Sequence, residues 1–93
     1  MGASMVVVEW CISGEAGQQT VSCADTAAAL ILGQFGRLIG HYPAEALIEV
    51  MVNVAVPLWA EMTSEGRAAL AEGRSWSRDT PGLYVALKPA ERA

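Results

Sequence analysis

The stretch from Ala44 to Met62, Ala-Glu-Ala-Leu-Ile-Glu-Val-Met-Val-Asn-Val-Ala-Val-Pro-Leu-Trp-Ala-Glu-Met, constrains this chain more than any other. It reads as a helix. Its polar residues Glu45, Glu49 and Asn53 recur every four positions and make one narrow stripe, and nearly everything else on it is apolar. A helix in a small domain buries a face of a little over ~100°, and this one offers roughly twice that arc. The surplus needs a second partner, supplied by this chain or by another.

Composition sharpens that demand. The 93 residues make one domain, 1–93, with the ends 1–4 and 89–93 expected to fray. A chain this short buries only about 60–65% of its unfolded surface. Yet 53% of its residues are hydrophobic and only 17% charged, where about 25% is usual. Mean hydropathy is +0.31. Disorder needs the reverse balance. Apolar excess with few charges points to oligomerisation or a stable protein partner, and a homodimer is the expectation.

Charge excludes several classes. Ten acidic and six basic residues give a net charge of −4, and the basic residues are dispersed. Nucleic-acid binding rests on neutralising phosphates, so it is not expected. Anionic membrane surfaces are disfavoured for the same reason. Carboxylates at Glu45, Glu49 and Glu61 interrupt the apolar run, so no membrane span is expected. No basic start precedes an apolar stretch and a cleavage site, so no signal peptide is expected and the chain reads as cytoplasmic. The Ala, Gly and Arg usage with a single Lys suits a bacterial or phage source.

The order of elements predicts a two-layer α+β domain, β-β-α-α-(α)-β. Residues 5–13 are rich in β-branched and aromatic side chains and read as a strand. Gly14-Glu-Ala-Gly17 signals a turn, and 18–23 return as the second strand of an antiparallel hairpin. With Glu15-Ala16 as the loop, Trp10 faces Val21, Val8 faces Cys23 and Cys11 faces Thr20 on the other side. Asp25 reads as the N-cap of a helix over about 26–39, with Ile31, Leu32, Phe35, Leu38 and Ile39 on its apolar face. Beside that face runs a row of small residues, Ala29, Gly33, Gly36 and Gly40. Gly within a helix costs about 1 kcal/mol against Ala, so the row predicts close backbone approach by another element. Gly40-His-Tyr-Pro43 breaks the chain, and a second helix follows over about 43–56. Pro57 offers no N–H to the carbonyl of Asn53, so a kink or restart is expected there, with continuation to Met62. Thr63 reads as the cap of a short third helix over about 64–72, ended by Gly73. Residues 73–82 read as a loop. Leu83–Lys88 reads as a C-terminal third strand joining the hairpin, with the helices packed on one face of the sheet.

No catalytic signature emerges. Cys11 and Cys23 point to opposite faces in the expected register, so free thiols are predicted, with Cys23 a small core residue and Cys11 half-buried. His41 is the only base a cysteine nucleophile has, and it reads as a cap beside Tyr42 at the helix junction. One His and two separated Cys do not make a metal site. Gly33-Gln-Phe-Gly36 matches no phosphate loop. No cofactor is expected, and Glu45 and Glu49 read as a solvated stripe or a rim for a basic partner.

The functional expectation is therefore a small non-catalytic regulator that occupies a surface on another protein. Antiactivators of transcription factors have this physical profile. So do the phage-type inhibitors of host defence complexes known as anti-CRISPR proteins. The candidate interface centres on the second helix: Leu47, Met51, Val54 and Leu58 along its wide face, and Val50, Val52, Val56 and Trp59 as the surface left after the core is built. Met51 and Met62 are expected to adapt to an irregular partner, and Glu45 and Glu49 to form an acidic rim. Trp76 between Arg74 and Arg78 combines the residue types enriched at binding hot spots, and either returns to the core or anchors a partner. The competing class is a dimeric enzyme or ligand-binding domain with a helix–sheet pocket lined by His41, Tyr42 or Cys11.

Overall fold

The computed structural model describes residues 5–39 and 43–90. Strand β1 is Val6–Ile12 and β2 is Glu15–Val21. Helix α1 is Ala24–Ile39. A single helix, α2, runs from Ala44 to Ala71. Strands β3, Trp76–Thr80, and β4, Leu83–Pro89, complete the chain. The sheet is antiparallel with order β2-β1-β4-β3. The α+β two-layer expectation holds, with one strand more than the sequence reading gives.

Turn chemistry sets the register. Ser13 and Gly14 both have positive φ, 52° and 86°. They form the two-residue loop closed by the Ile12–Glu15 pair, which is the geometry primed hairpin turns require. The loop thus falls two residues earlier than expected, and the pairing shifts with it. Trp10 lies opposite Gly17, Cys11 opposite Ala16 and Val6 opposite Val21. A Cβ on Gly17 would sit 2.3 Å from the indole ring of Trp10, so the glycine leaves room for that ring. The second hairpin turns at Pro81-Gly82, with Gly82 at φ 80° as a type II turn needs.

Alternation then divides the sheet into two faces. Val6, Val8, Ile12, Val21, Leu83, Val85 and Leu87 are buried under the helices. They meet Ala24, Ala27, Ala28, Ile31 and Phe35 of α1 and Ala55, Leu58 and Met62 of α2. The opposite face carries Val7, Glu9 and Cys11 beside Tyr84, Ala86 and Lys88, with Lys88 Nζ 3.1 Å from Glu9 Oε1.

Helix α1 starts one residue before Asp25, so Asp25 lies in the first turn instead of capping it. There its carboxylate favours the positive end of the helix dipole and pairs with Arg67 of α2. The row Ala29, Gly33, Gly36 lies exposed on α1, and among the described residues nothing outside the helix's own backbone comes within 4 Å of a Cβ built on Gly33 or Gly36. The expected close approach by another element is therefore not found at these two glycines among the described residues. Gly40, His41 and Tyr42 lie outside the described residues.

Helix α2 corrects the division at Pro57 and at Thr63. Two turns are widened to π geometry, Met51–Ala55 and Met62–Gly66. The first sits immediately before Pro57, where Val56 N–H donates to the Met51 carbonyl five residues back. Widening moves carbonyls away from the proline ring, so the helix continues without a break. In the second, Thr63 Oγ1 donates to the Trp59 carbonyl at 3.0 Å and Ser64 Oγ to that of Ala60 at 2.7 Å. Thr63 therefore bonds backward within the helix and caps nothing. Gly66 in this turn lets α2 settle on the sheet: a Cβ there would lie 2.8 Å from Leu87 Cδ1. The helix ends as expected at Gly73, φ 76°. Gly73 N–H bonds the Leu70 carbonyl and Arg74 N–H that of Ala69, a Schellman ending.

The expected loop at 73–82 contains β3. Fraying expected from residue 89 does not hold for Pro89 and Ala90. Pro89 ends β4, and Ala90 N–H donates to the Met5 carbonyl at 2.9 Å.

Candidate protein-interaction ridge

The helical period divides α2 into faces with different fates. Ala55, Leu58, Met62, Gly66 and Ala69, spaced three or four apart, are buried. A second line is not. Ile48 is 62% exposed, Val52 60%, Val56 55% and Trp59 44%. Spacings of four, four and three place these residues on one side of the helix, one turn after another. They are four of the five large apolar residues exposed among the described residues, the fifth being Met5. Glu45, Glu49 and Asn53 are exposed beside them.

The ridge is the side of the helix turned away from the core, where Val56 and Trp59 alternate with buried Ala55 and Leu58, and the helix also outruns the sheet. At 1.5 Å per residue, the 28 residues of α2 extend about 42 Å, against ~23 Å for a seven-residue strand. The sheet meets the later turns, where Gly66 faces Leu87 and Trp76. The earlier turns form an arm, and the chain spans 47 × 21 × 20 Å. By length and composition α2 could also cross a membrane, but Leu58 and Met62 within it belong to the core of the domain.

Of the residues singled out from sequence, the structure groups Val52, Val56 and Trp59 on the ridge with Glu45 and Glu49 alongside. Val50 is half-buried against the core, so it does not belong to the leftover surface. Met51 and Val54 likewise pack against the core, and Leu58 and Met62 are buried in it, which removes them from an adaptable contact surface. Ile48, the most exposed of the four, was not among the candidates. Its signal was present in the i, i+4 step to Val52.

Trp76, Arg74 and Arg78 do not join the ridge. Trp76 is half-buried against the core cluster and lies over Gly66. Arg78 pairs with Glu61 of α2, both partly buried, and Arg74 pairs with Glu72 beside it. Trp76 and Arg78 are therefore tied into the domain, while Arg74 stays exposed. This follows from β3: alternation sends Trp76 and Arg78 to the helix side. The Pro81-Gly82 turn followed by Leu83 was the signal for that strand.

Both cysteines are free thiols. Cys23 is exposed, not a core residue, because the register shift places it beyond β2 at the start of α1. Its Sγ lies 3.3 Å from Thr26 Oγ1. Hydrogen bonds from the Thr26 hydroxyl and then its backbone N–H hold the thiol below its ordinary pKa. Cys11 lies on the sheet face away from the helices, so it cannot line a helix–sheet pocket. Among the described residues no cluster of three or more His, Cys, Asp or Glu is placed to hold a metal ion. Comparison with protein-family models, with curated proteins and with solved structures gives no match.

Proposed function

We propose that this chain is a small non-catalytic regulator that binds another protein through the α2 ridge, in the manner of an antiactivator that occupies a surface its target needs. The observation that carries the reading is the unbroken line Ile48, Val52, Val56, Trp59, left in solvent by a domain that has already built its core. Together the four expose on the order of 400 Å2, within the ~300–600 Å2 of the largest apolar patch on a typical monomer, a patch that is often functional. Burying them in a partner is worth roughly 25 cal/mol per Å2 before the costs of association. Glu45 and Glu49 beside the ridge favour a target with basic residues at its rim. The cytoplasm is the proposed compartment, supported by the two free thiols.

Sedimentation velocity of the fluorescently labelled chain, in buffer and in bacterial extract, tests the reading. The expected result is a species larger than the 9.8 kDa monomer that reverts to monomer on Val56→Asp. Val56 is exposed, so the fold should survive that change. A monomer in both media overturns the reading.

A further inference from the structure

We infer that the outer edge of β2 takes an extended segment of another protein as a fifth, antiparallel strand, with an apolar side chain across from Gly17 and a lysine or arginine two residues further on, across from Glu15. The surface is separate from the α2 ridge: α1 packs over β1 and β2, and α2 meets β3 and β4 at the other side of the sheet.

Backbone pairing fixes which groups point outward. At the two ends of β1, the Ser13 N–H donates to the Gly82 carbonyl and the Met5 carbonyl accepts from the Ala90 N–H. Bonding pairs alternate along an antiparallel ladder, so the odd-numbered residues of β1 bond toward β4 and the even-numbered ones toward β2. Glu15, Gly17, Gln19 and Val21 lie opposite even-numbered residues and spend their backbone groups on β1. Ala16, Gln18 and Thr20 direct theirs away from the sheet, where no other backbone group meets them among the described residues.

The two edges of the sheet differ in protection. Natural sheets guard an edge with short strands, charges, proline or bulges. Strand β3 is guarded: it has five residues, Arg78 is turned inward to Glu61, Asp79 lies beside it, and Pro81 follows its last residue. Strand β2 has seven residues in one-to-one register, with no proline, no basic residue and a single charge, Glu15, at its turn end. All of β2 but Gly17 and Val21 is exposed, so an arriving strand finds an open backbone.

An extended chain is the partner whose own N–H and C=O groups match that alternation. Its side chains are selected by what stands at the edge. Glu15 and Gly17 would lie in the pairs that exchange no hydrogen bonds, which bring facing side chains closest. The half-buried indole of Trp10 lies over Gly17, so the side chain arriving there meets an aromatic ring and is favoured when apolar. Glu15 is exposed and has no ion-pair partner among the described residues, and the chain carries net charge −4, so a cation is favoured across from it. A second copy paired about Gln18 would set Gln19 across from Gly17 and Val21 across from Glu15, which matches neither.

Amide NMR of the isotope-labelled full chain, titrated to millimolar concentration with the peptide acetyl-Thr-Thr-Val-Thr-Lys-Thr-amide, tests the inference. Saturable shifts along β2 are expected, with amide exchange slowed at Ala16, Gln18 and Thr20 and unchanged at Gly17 and Gln19, which already bond β1. Changing the peptide's valine to glycine or its lysine to glutamate should weaken binding several-fold. N-methylating the two threonines that flank its valine should abolish binding. Gln18→Pro removes an outward N–H where an edge strand tolerates proline, and should also weaken binding several-fold. Absence of saturable shifts on β2 overturns the inference, and so does equal binding of the N-methylated peptide, whether or not Gln18→Pro folds. Shifts confined to α2 overturn the edge as the site and leave the ridge reading standing. Slowed exchange at the same three amides on raising the protein concentration without peptide overturns it in favour of a second copy.

Discussion

Cys23 shows how a two-residue shift of the hairpin loop changes chemistry. With the loop at Ser13-Gly14, the strand ends at Val21 and the thiol emerges at the head of α1, where Thr26 reaches it. The lowered pKa keeps the thiolate populated to lower pH than in an unfolded chain. Its contribution to stability is therefore present above the unfolded pKa and lost as pH falls through the folded one. Iodoacetamide should modify Cys23 ahead of Cys11 at neutral pH, and Thr26→Val should shift the pH of half-maximal rate upward; peptide mass mapping over a pH series reads both. Hairpin turns at Gly14 and Gly17 were both legible in the composition, but the choice between them was not. It rests on the indole of Trp10 lying over Gly17, a contact between strands that no local pattern encodes.

At the scale of the element, α2 is where sequence reading reached furthest and also stopped. An apolar arc too wide for one partner was readable from spacing alone, and the exposed ridge answers to it. Which half of that arc the domain uses was not readable, because it depends on where Gly66 lets the helix approach Leu87. Pro57 and Thr63 each carry a strong local boundary signal. Tertiary packing overrides both, since Leu58 and Met62 on either side of Trp59 are buried together. The two faces should separate cleanly in urea denaturation at dilutions that leave the ridge unpaired. Leu58→Ala should cost about 2–5 kcal/mol as a cavity in the core. Ile48→Ala should change stability by less than about 0.5 kcal/mol, because solvent already surrounds it.

Taken as a whole molecule, a sheet of about 23 Å strands carries a helix nearly twice as long, and the excess becomes an arm. Two turns of that helix are widened to π geometry. A π turn holds one residue more than the α turn it replaces. The helix therefore contains two surplus residues that neither its buried face nor its ridge requires. The first is tied to Pro57; the second, in Met62–Gly66, is not. That turn should tolerate the loss of one position as a reading frame tolerates the loss of a whole codon. Deleting Ser64 closes it to an ordinary α turn, leaving Leu58 and Ala69 in phase. Deleting Ala29, equally exposed but in the regular helix α1, turns Ala24 and Ala27 about 100° away from Ile31 and Phe35. Thermal melting should find the first variant folded within a few degrees of the parent and the second without a cooperative transition.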